Sequence, residues 1–198
     1  MQLRQKKVTI LGFARSGQEA ARLAARHGAR VRISDKADNE AIREAIRKLN
    51  LQNVEIELGS HSAKFIQDSD LVVLSPGIRL DSESVRWAKE KDIPVISEIE
   101  LGFQFCPADI IAVTGSNGKT TVTTLIGEVL KQTGRKVFVC GNIGNPFCAE
   151  VDKMQKGDLV SLEVSSFQLE AIVNFRPHVA VFINFSRNHL DRHTDMQE

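Results

Sequence analysis

Ile110-Ile-Ala-Val-Thr-Gly-Ser-Asn-Gly-Lys-Thr-Thr121 decides how this chain folds. A β-branched apolar run ends in a glycine-bearing loop, and Lys119 opens a helical pattern that continues to Gln132. Strand, glycine loop and helix in that order let backbone N–H groups at a helix N-terminus cradle phosphate oxygens. The candidate ATP-binding residues are Gly115, Ser116, Asn117, Gly118, Lys119, Thr120 and Thr121. Lys119 suits the β- and γ-phosphates, and the Thr120 hydroxyl suits Mg2+. The glycines stand closer together than in the standard G-x-x-x-x-G-K-[ST] loop, with two residues between Gly115 and Gly118. Downstream, Asp158-Leu-Val-Ser-Leu-Glu-Val-Ser-Ser166 is an apolar strand ending in Glu163, the place for a second acidic Mg2+ contact. By itself Glu163 also reads as a solvated strand-end acid.

The same alternation runs outward in both directions. Strands are predicted at 7–11, 29–34, 54–58, 71–75 and 94–97, with helices at 18–27, 39–49 and 82–91 between them. A second series places strands at 110–114, 136–140, 159–163 and 179–184 around the helix at 119–132. Continuous apolar strands separated by helical crossovers imply parallel sheets covered on both faces. Glu98–Phe103 reads as a connecting helix and Cys106-Pro107 as a break. The expected architecture is a Rossmann-like parallel-sheet unit over 1–97, followed over 98–198 by the N-terminal part of a P-loop α/β unit.

In the first unit, Val8–Leu11 runs into Gly12-Phe-Ala-Arg-Ser-Gly17 and then a helix. Asp35 closes the second strand, about where a ribose-binding acid sits in dinucleotide folds. Ala14 takes the place of the middle glycine, which restricts approach to a pyrophosphate. Two readings stay open: a nicotinamide or flavin site, or a turn that packs helix on strand. Leu71-Val-Val-Leu-Ser-Pro-Gly-Ile78 ends a further strand in a turn, so three loops (12–17, 35–36, 75–77) belong at one sheet edge.

Composition limits the function classes. The chain of 198 residues carries a net charge of +1, with 42% hydrophobic and 26% charged residues, the balance of a globular protein. That charge argues against a general nucleic-acid binder. No apolar run is long enough to span a bilayer, and the basic start, Met1–Lys7, does not continue as a signal peptide. Cys106, Cys140 and Cys148 form no patterned set, so neither a disulfide framework nor a zinc knuckle is expected, and a reducing cytoplasm is the expected home. His27, His61 and His178 read as ordinary surface or cap residues, and His189, Asp191 and His193 as a weak zinc pattern in a loop.

Taken together, Thr114–Thr121, Gly141-Asn-Ile-Gly-Asn-Pro146, Glu163-Val-Ser-Ser-Phe-Gln-Leu-Glu170 and Asn184…His189-Leu-Asp-Arg-His193 resemble the Mur ligases. With Ser75-Pro-Gly-Ile78 upstream, the closest likeness is to the branch that adds D-glutamate. The short phosphate loop is that family's own variant. The resemblance implies an ATP- and Mg2+-dependent, amide-forming, cytoplasmic and monomeric enzyme of peptidoglycan precursor synthesis. Its substrates would be UDP-N-acetylmuramoyl-L-alanine and D-glutamate, joined through an acyl phosphate. It assigns Lys119, Glu163 and His189 to catalysis and Thr120, Glu163 and His189 to the metal. Asn142, Ser165, Gln168 and His189 would meet the muramoyl-alanine part, and Arg15, Ser16, Asp35, Lys36, Ser75 and Gly77 the uridine diphosphate. The chain departs from the family pattern at Asn188, usually Asp, and Arg187, commonly Pro. A carbamylated lysine, adenine contacts and a C-terminal D-glutamate-binding domain are expected beyond Glu198, so turnover by these residues alone is not expected. The alternatives are another Mur-type or folylpolyglutamate-like ligase and a non-catalytic nucleotide-sugar-binding module.

Overall fold

The computed structural model describes residues 1–186. In chain order the elements are β1 (Lys7–Leu11), α1 (Arg15–Arg26), β2 (Arg30–Asp35), α2 (Glu40–Leu49), β3 (Glu55–Leu58), α3 (Ala63–Gln67), β4 (Leu71–Leu74), α4 (Glu83–Lys89) and β5 (Val95–Ser97). There follow α5 (Glu98–Phe103), β6 (Asp109–Thr114), α6 (Lys119–Lys131), β7 (Val137–Gly141), α7 (Phe147–Glu150), β8 (Leu159–Glu163), α8 (Ser166–Leu169) and β9 (Val179–Phe182). They build two parallel sheets, ordered β3-β2-β1-β4-β5 and β7-β8-β6-β9. The chain is thus a parallel-sheet α/β protein, as its apolar strands imply.

Strand composition explains the layering. β4 is buried along its whole length, and so is β1 from Val8 to Leu11, because helices cover both faces. α1 buries Ala20, Ala21, Leu23 and Ala24 in the core of the first sheet, and the three alanines let helix and strands approach closely. Asn39, Ser62 and Ser97 cap the helices that follow them by accepting the N–H groups of Ile42, Phe65 and Glu100.

Several boundaries differ from the sequence reading. α1 begins at Arg15, so Arg15, Ser16 and Gly17 belong to the helix rather than to the loop. β9 stops at Phe182, two residues early, because Asn184 turns toward the phosphate loop. The short helices α3, α7 and α8 escape a periodicity argument, since none completes two turns.

α5 is the hinge between the sheets. The Glu98 carboxylate accepts the Cys148 N–H of α7 at 2.7 Å, and the Glu98 carbonyl accepts the Cys148 thiol. Glu100 Oε2 accepts three consecutive N–H groups, from Val173, Asn174 and Phe175, at 2.8–3.0 Å. The two acids titrate in opposite directions. Burial pushes the Glu100 carboxyl up, but the three N–H groups and Gln104 outweigh it and hold it below the usual range. Burial pushes Glu98 up to about 7, with only the Cys148 bonds opposing it and Glu19 adding to it.

A folded-state pKa above the unfolded value of 4.5 makes Glu98 stabilising at low pH, and that contribution is lost as pH rises through about 7. The linked change is on the order of 3 kcal/mol. Glu98→Gln keeps an acceptor for Cys148 and carries no charge. Denaturant unfolding at pH 5 and pH 8 is expected to show a smaller alkaline loss of stability in Glu98→Gln than in the parent. Equal losses in the two proteins would contradict a buried acid at this hinge.

Candidate functional site

The phosphate loop leaves β6 at Thr114 and enters α6 at Lys119, with Gly118 as a left-handed N-cap at φ +80°. Among the described residues, a Cβ at Gly118 would meet nothing within 4 Å. The opposite side is tightly held. A Cβ at Gly115 would lie 3.1 Å from the Asn184 backbone, and Asn184 Oδ1 accepts the Asn117 N–H while its amide donates to the Asn117 carbonyl. The Ser116 hydroxyl donates to the Ser186 carbonyl and accepts the Ser186 N–H. The segment after β9 thereby fixes the loop from behind. Lys119 Nζ donates to the Gly115 and Ser116 carbonyls at 2.7 and 3.0 Å, which keeps its cation inside the loop. Thr121, on the first turn of α6, is exposed.

Glu163 is 2% exposed at the end of β8, so it is not a solvated acid. Its Oε2 accepts the Thr120 hydroxyl and its Oε1 the Asn142 amide, both at 2.8 Å. The Asn142 N–H bonds the Glu163 carbonyl, and a Cβ at Gly141 would lie 2.2 Å from that same carbonyl oxygen. Gly141 sits at φ +110°, so both space and backbone conformation require glycine there. The Gly-Asn-Ile-Gly run and the phosphate loop therefore converge on one carboxylate. Ser165 and Gln168 lie just beyond it, buried, with Gln168 Oε1 accepting the Ser165 N–H across the start of α8.

The three loops of the first sheet also converge. Ser75 Oγ donates to the Gly12 carbonyl at 2.6 Å, and Asp35 accepts the Phe13 and Ala37 N–H groups at 2.6 and 2.8 Å. A Cβ at Gly17 would lie 2.2 Å from the Gly12 carbonyl oxygen, so this glycine serves close packing of α1 on the loop after β1. Ser16 is half-buried on α1, while Lys36 and Gly77 are exposed. Arg15 reaches across to the second unit, donating to Asn145 Oδ1 at 2.8 Å. Ser75, Ser97, Glu98, Phe167 and Gln168 line a small cleft between the turn after β4 and α8.

Other partners were not legible in the sequence. Asn184 and Ser186 brace the phosphate loop, and Asn145 couples Arg15 to Glu150. The three histidines read as ordinary are engaged as well. His27 stacks on Phe105 at 3.8 Å and bonds Asp152, His178 Nδ1 accepts the Ile110 N–H, and His61 bonds Ser34. His189, with Arg187, Asn188, Asp191 and His193, lies outside the described residues. Among the described residues no group of three or more His, Cys, Asp or Glu could hold a metal ion. Nor is any helix among them long and apolar enough to cross a membrane.

Thr120→Val removes the hydroxyl that Glu163 Oε2 accepts while keeping the side chain's shape. It is expected to cost about 1 kcal/mol or more of unfolding free energy. Thr124→Val, on an exposed bond to the Thr120 carbonyl, is the control and should cost less by the same measurement.

Residues 6–97 match the Mur ligase MurD-like N-terminal domain and residues 113–198 the Mur ligase middle domain. The UDP-N-acetylmuramoylalanine--D-glutamate ligase of Geotalea uraniireducens (strain Rf4) is 45% identical over 198 residues, 100% of this chain and 44% of that protein. The protein of the same name from Koribacter versatilis (strain Ellin345) is 42% identical over 193 residues, 98% of this chain and 43% of its own length. The chain thus spans less than half the length of these curated relatives. Among solved structures, the UDP-N-acetylmuramate:L-alanyl-gamma-D-glutamyl-meso-diaminopimelate ligase from Neisseria meningitides aligns with a TM-score of 0.59 at 19% identity, over 98% of this chain and 64% of that one. The murein peptide ligase mpl from Psychrobacter arcticus 273-4 aligns with a TM-score of 0.56 at 20% identity, over 94% and 44%. At those identities the structures speak to the fold, and the fold agrees with the sequence matches. The chain belongs to the Mur ligase family, of which it carries the MurD-like N-terminal domain and the middle domain.

Proposed function

We propose that this protein acts as an ATP-dependent ligase that joins D-glutamate to UDP-N-acetylmuramoyl-L-alanine in cytoplasmic peptidoglycan precursor synthesis, as a monomer. One observation carries the reading. The phosphate loop and its buried acid stand in a chain 45% identical, over all 198 residues, to a relative bearing that ligase's name. The substrate carboxylate takes the γ-phosphoryl group of ATP, releasing ADP. The D-glutamate amine then attacks the resulting acyl phosphate, and inorganic phosphate leaves as the amide forms.

The residues support a division of labour. Residues 1–97 bind the uridine side, and residues 98–198 belong to the ATP-binding unit. Lys119, tethered by two carbonyls of its own loop, turns its ammonium to the phosphate oxygens when they replace those carbonyls. The residues fit Mg2+, because Thr120 and Glu163 present a hydroxyl and a carboxylate 2.8 Å apart, and hard oxygen donors are what this ion takes. Thr120 and Glu163, with His189 as a further ligand, would hold Mg2+, which would neutralise phosphate charge. Asn142, Ser165 and Gln168 orient the muramoyl-alanine end. Arg15, Ser16, Asp35, Lys36, Ser75 and Gly77 receive the uridine diphosphate. Catalysis of the first step is then positioning and charge neutralisation.

Calorimetry on the chain tests this reading. UDP-N-acetylmuramoyl-L-alanine and ATP should each give binding heat, and NAD none. Lys119→Ala should weaken ATP by roughly tenfold or more, the worth of one charge-assisted hydrogen bond, and leave the UDP-sugar affinity in place. Heat with NAD and none with the UDP-sugar would contradict the proposal.

A further inference from the structure

At the ends of β2 and β3, away from the phosphate loop, four polar side chains form a closed set. Glu57 lies opposite Ser34 in the strand register. Its Oε2 accepts the Ser34 hydroxyl and the Ser62 N–H, both at 3.0 Å, and its Oε1 accepts the Ser62 hydroxyl. Ser34 Oγ also lies 2.7 Å from His61 Nδ1. The proton positions follow from the donor inventory. A carboxylate oxygen only accepts, so the single Ser34 proton points at Glu57. Ser34 Oγ must then accept from His61, which places the imidazole proton on Nδ1 and leaves Nε2 as a bare lone pair. His61 Nε2 is buried with no hydrogen-bond partner among the described residues.

Ser34 also stands at the root of the nucleotide-side loops. Its carbonyl accepts the Gly12 N–H at 2.9 Å, and the next residue, Asp35, accepts the Phe13 N–H. Whatever fixes Ser34 therefore fixes the glycine loop and the Asp35-Lys36 turn together.

We propose that His61 is a positioning residue for the uridine-side loops, holding Ser34 through its Nδ1–H from a buried place that fits only the neutral ring. This rests on the proposed function for the identity of the ligand, a uridine diphosphate sugar. The charge environment agrees. Burial holds the His61 pKa below the ordinary imidazole value, Lys36 pushes the same way, and Asp35 and Glu57 pull against them. A second proton would place a buried N–H at Nε2 with no acceptor, in the field of the Lys36 cation. The ring then leaves its place, Ser34 loses its partner, and the loops loosen. Uridine-side affinity accordingly falls on the acid side of His61 protonation, while the phosphate loop, built on the other sheet, does not follow.

The test is calorimetric titration of UDP-N-acetylmuramoyl-L-alanine and, separately, of ATP into the chain between pH 5 and pH 8. The parent is compared with His61→Asn, whose amide can donate where Nδ1 does, and His61→Phe, which cannot donate. Parent affinity for the UDP-sugar is expected to fall by up to about tenfold per pH unit below the His61 pKa. His61→Asn should hold near-parent affinity at pH 8 with a flatter acid limb. His61→Phe should lose roughly tenfold at pH 8, the worth of one hydrogen bond, with ATP affinity retained as proof of folding. Ring-nitrogen NMR should report the Nδ1–H tautomer for His61. Parent binding with both variants indistinguishable from it at every pH, or an Nε2–H tautomer, overturns the positioning role alone. Absence of UDP-sugar heat from the parent at pH 8 contradicts the proposed function and the positioning role with it.

Discussion

The Glu163 carboxylate closes an interior strand of the second sheet, and both of its oxygens are taken by side chains from neighbouring strand ends. Thr120 comes from the helix after β6 and Asn142 from the turn after β7, so one acid ties three strand termini together. A charge this deeply buried persists only with such partners. Its demands propagate outward. Gly141 must lack a side chain beside the Glu163 carbonyl, and Gly115 must lack one beside Asn184. The loop between β6 and α6 is therefore clamped from behind, while among the described residues nothing crowds its crest at Gly118.

The second constraint is the way the two sheets are joined. α5 presents two acids to the other unit, and their environments differ in kind. Glu100 is an anion satisfied by three backbone N–H groups, whereas Glu98 has one oxygen bonded to Cys148 and the other without a hydrogen-bond partner among the described residues. Arg15 to Asn145, and Arg26 and His27 to Asp152, add polar contacts along the same seam. The seam places the turn after β4 against α8, so Ser75 and Gln168 line one cleft. A ligand reaching from the loops of the first sheet toward Glu163 would cross that seam.

Legibility in the sequence followed the range of the physics. The parallel strands were readable because apolar runs and crossover helices are local patterns. The strand, glycine loop and helix at 110–132 were readable because they follow one another along the chain. Glu163 was readable as a strand-end acid, but its burial was not, because Thr120 and Asn142 lie 43 and 21 residues away. The glycine loop after β1 left two readings open, and the space at Gly17 explains why. That glycine serves packing whatever the loop binds. Ser75 looked like part of a turn, yet its hydroxyl holds the Gly12 carbonyl from 63 residues away. His61 carried no local signal at all, since its role depends on the register that sets Ser34 opposite Glu57.

The proposed function makes the Thr120–Glu163 pair the oxygen set for a nucleotide's metal. It is tested most directly by measuring ATP affinity with and without Mg2+ in the parent chain and in Glu163→Gln, which keeps the size and loses the charge. Mg2+ is expected to tighten ATP binding in the parent and to lose most of that effect in Glu163→Gln, with metal-free affinity little changed. The same Mg2+ enhancement in both proteins would contradict it.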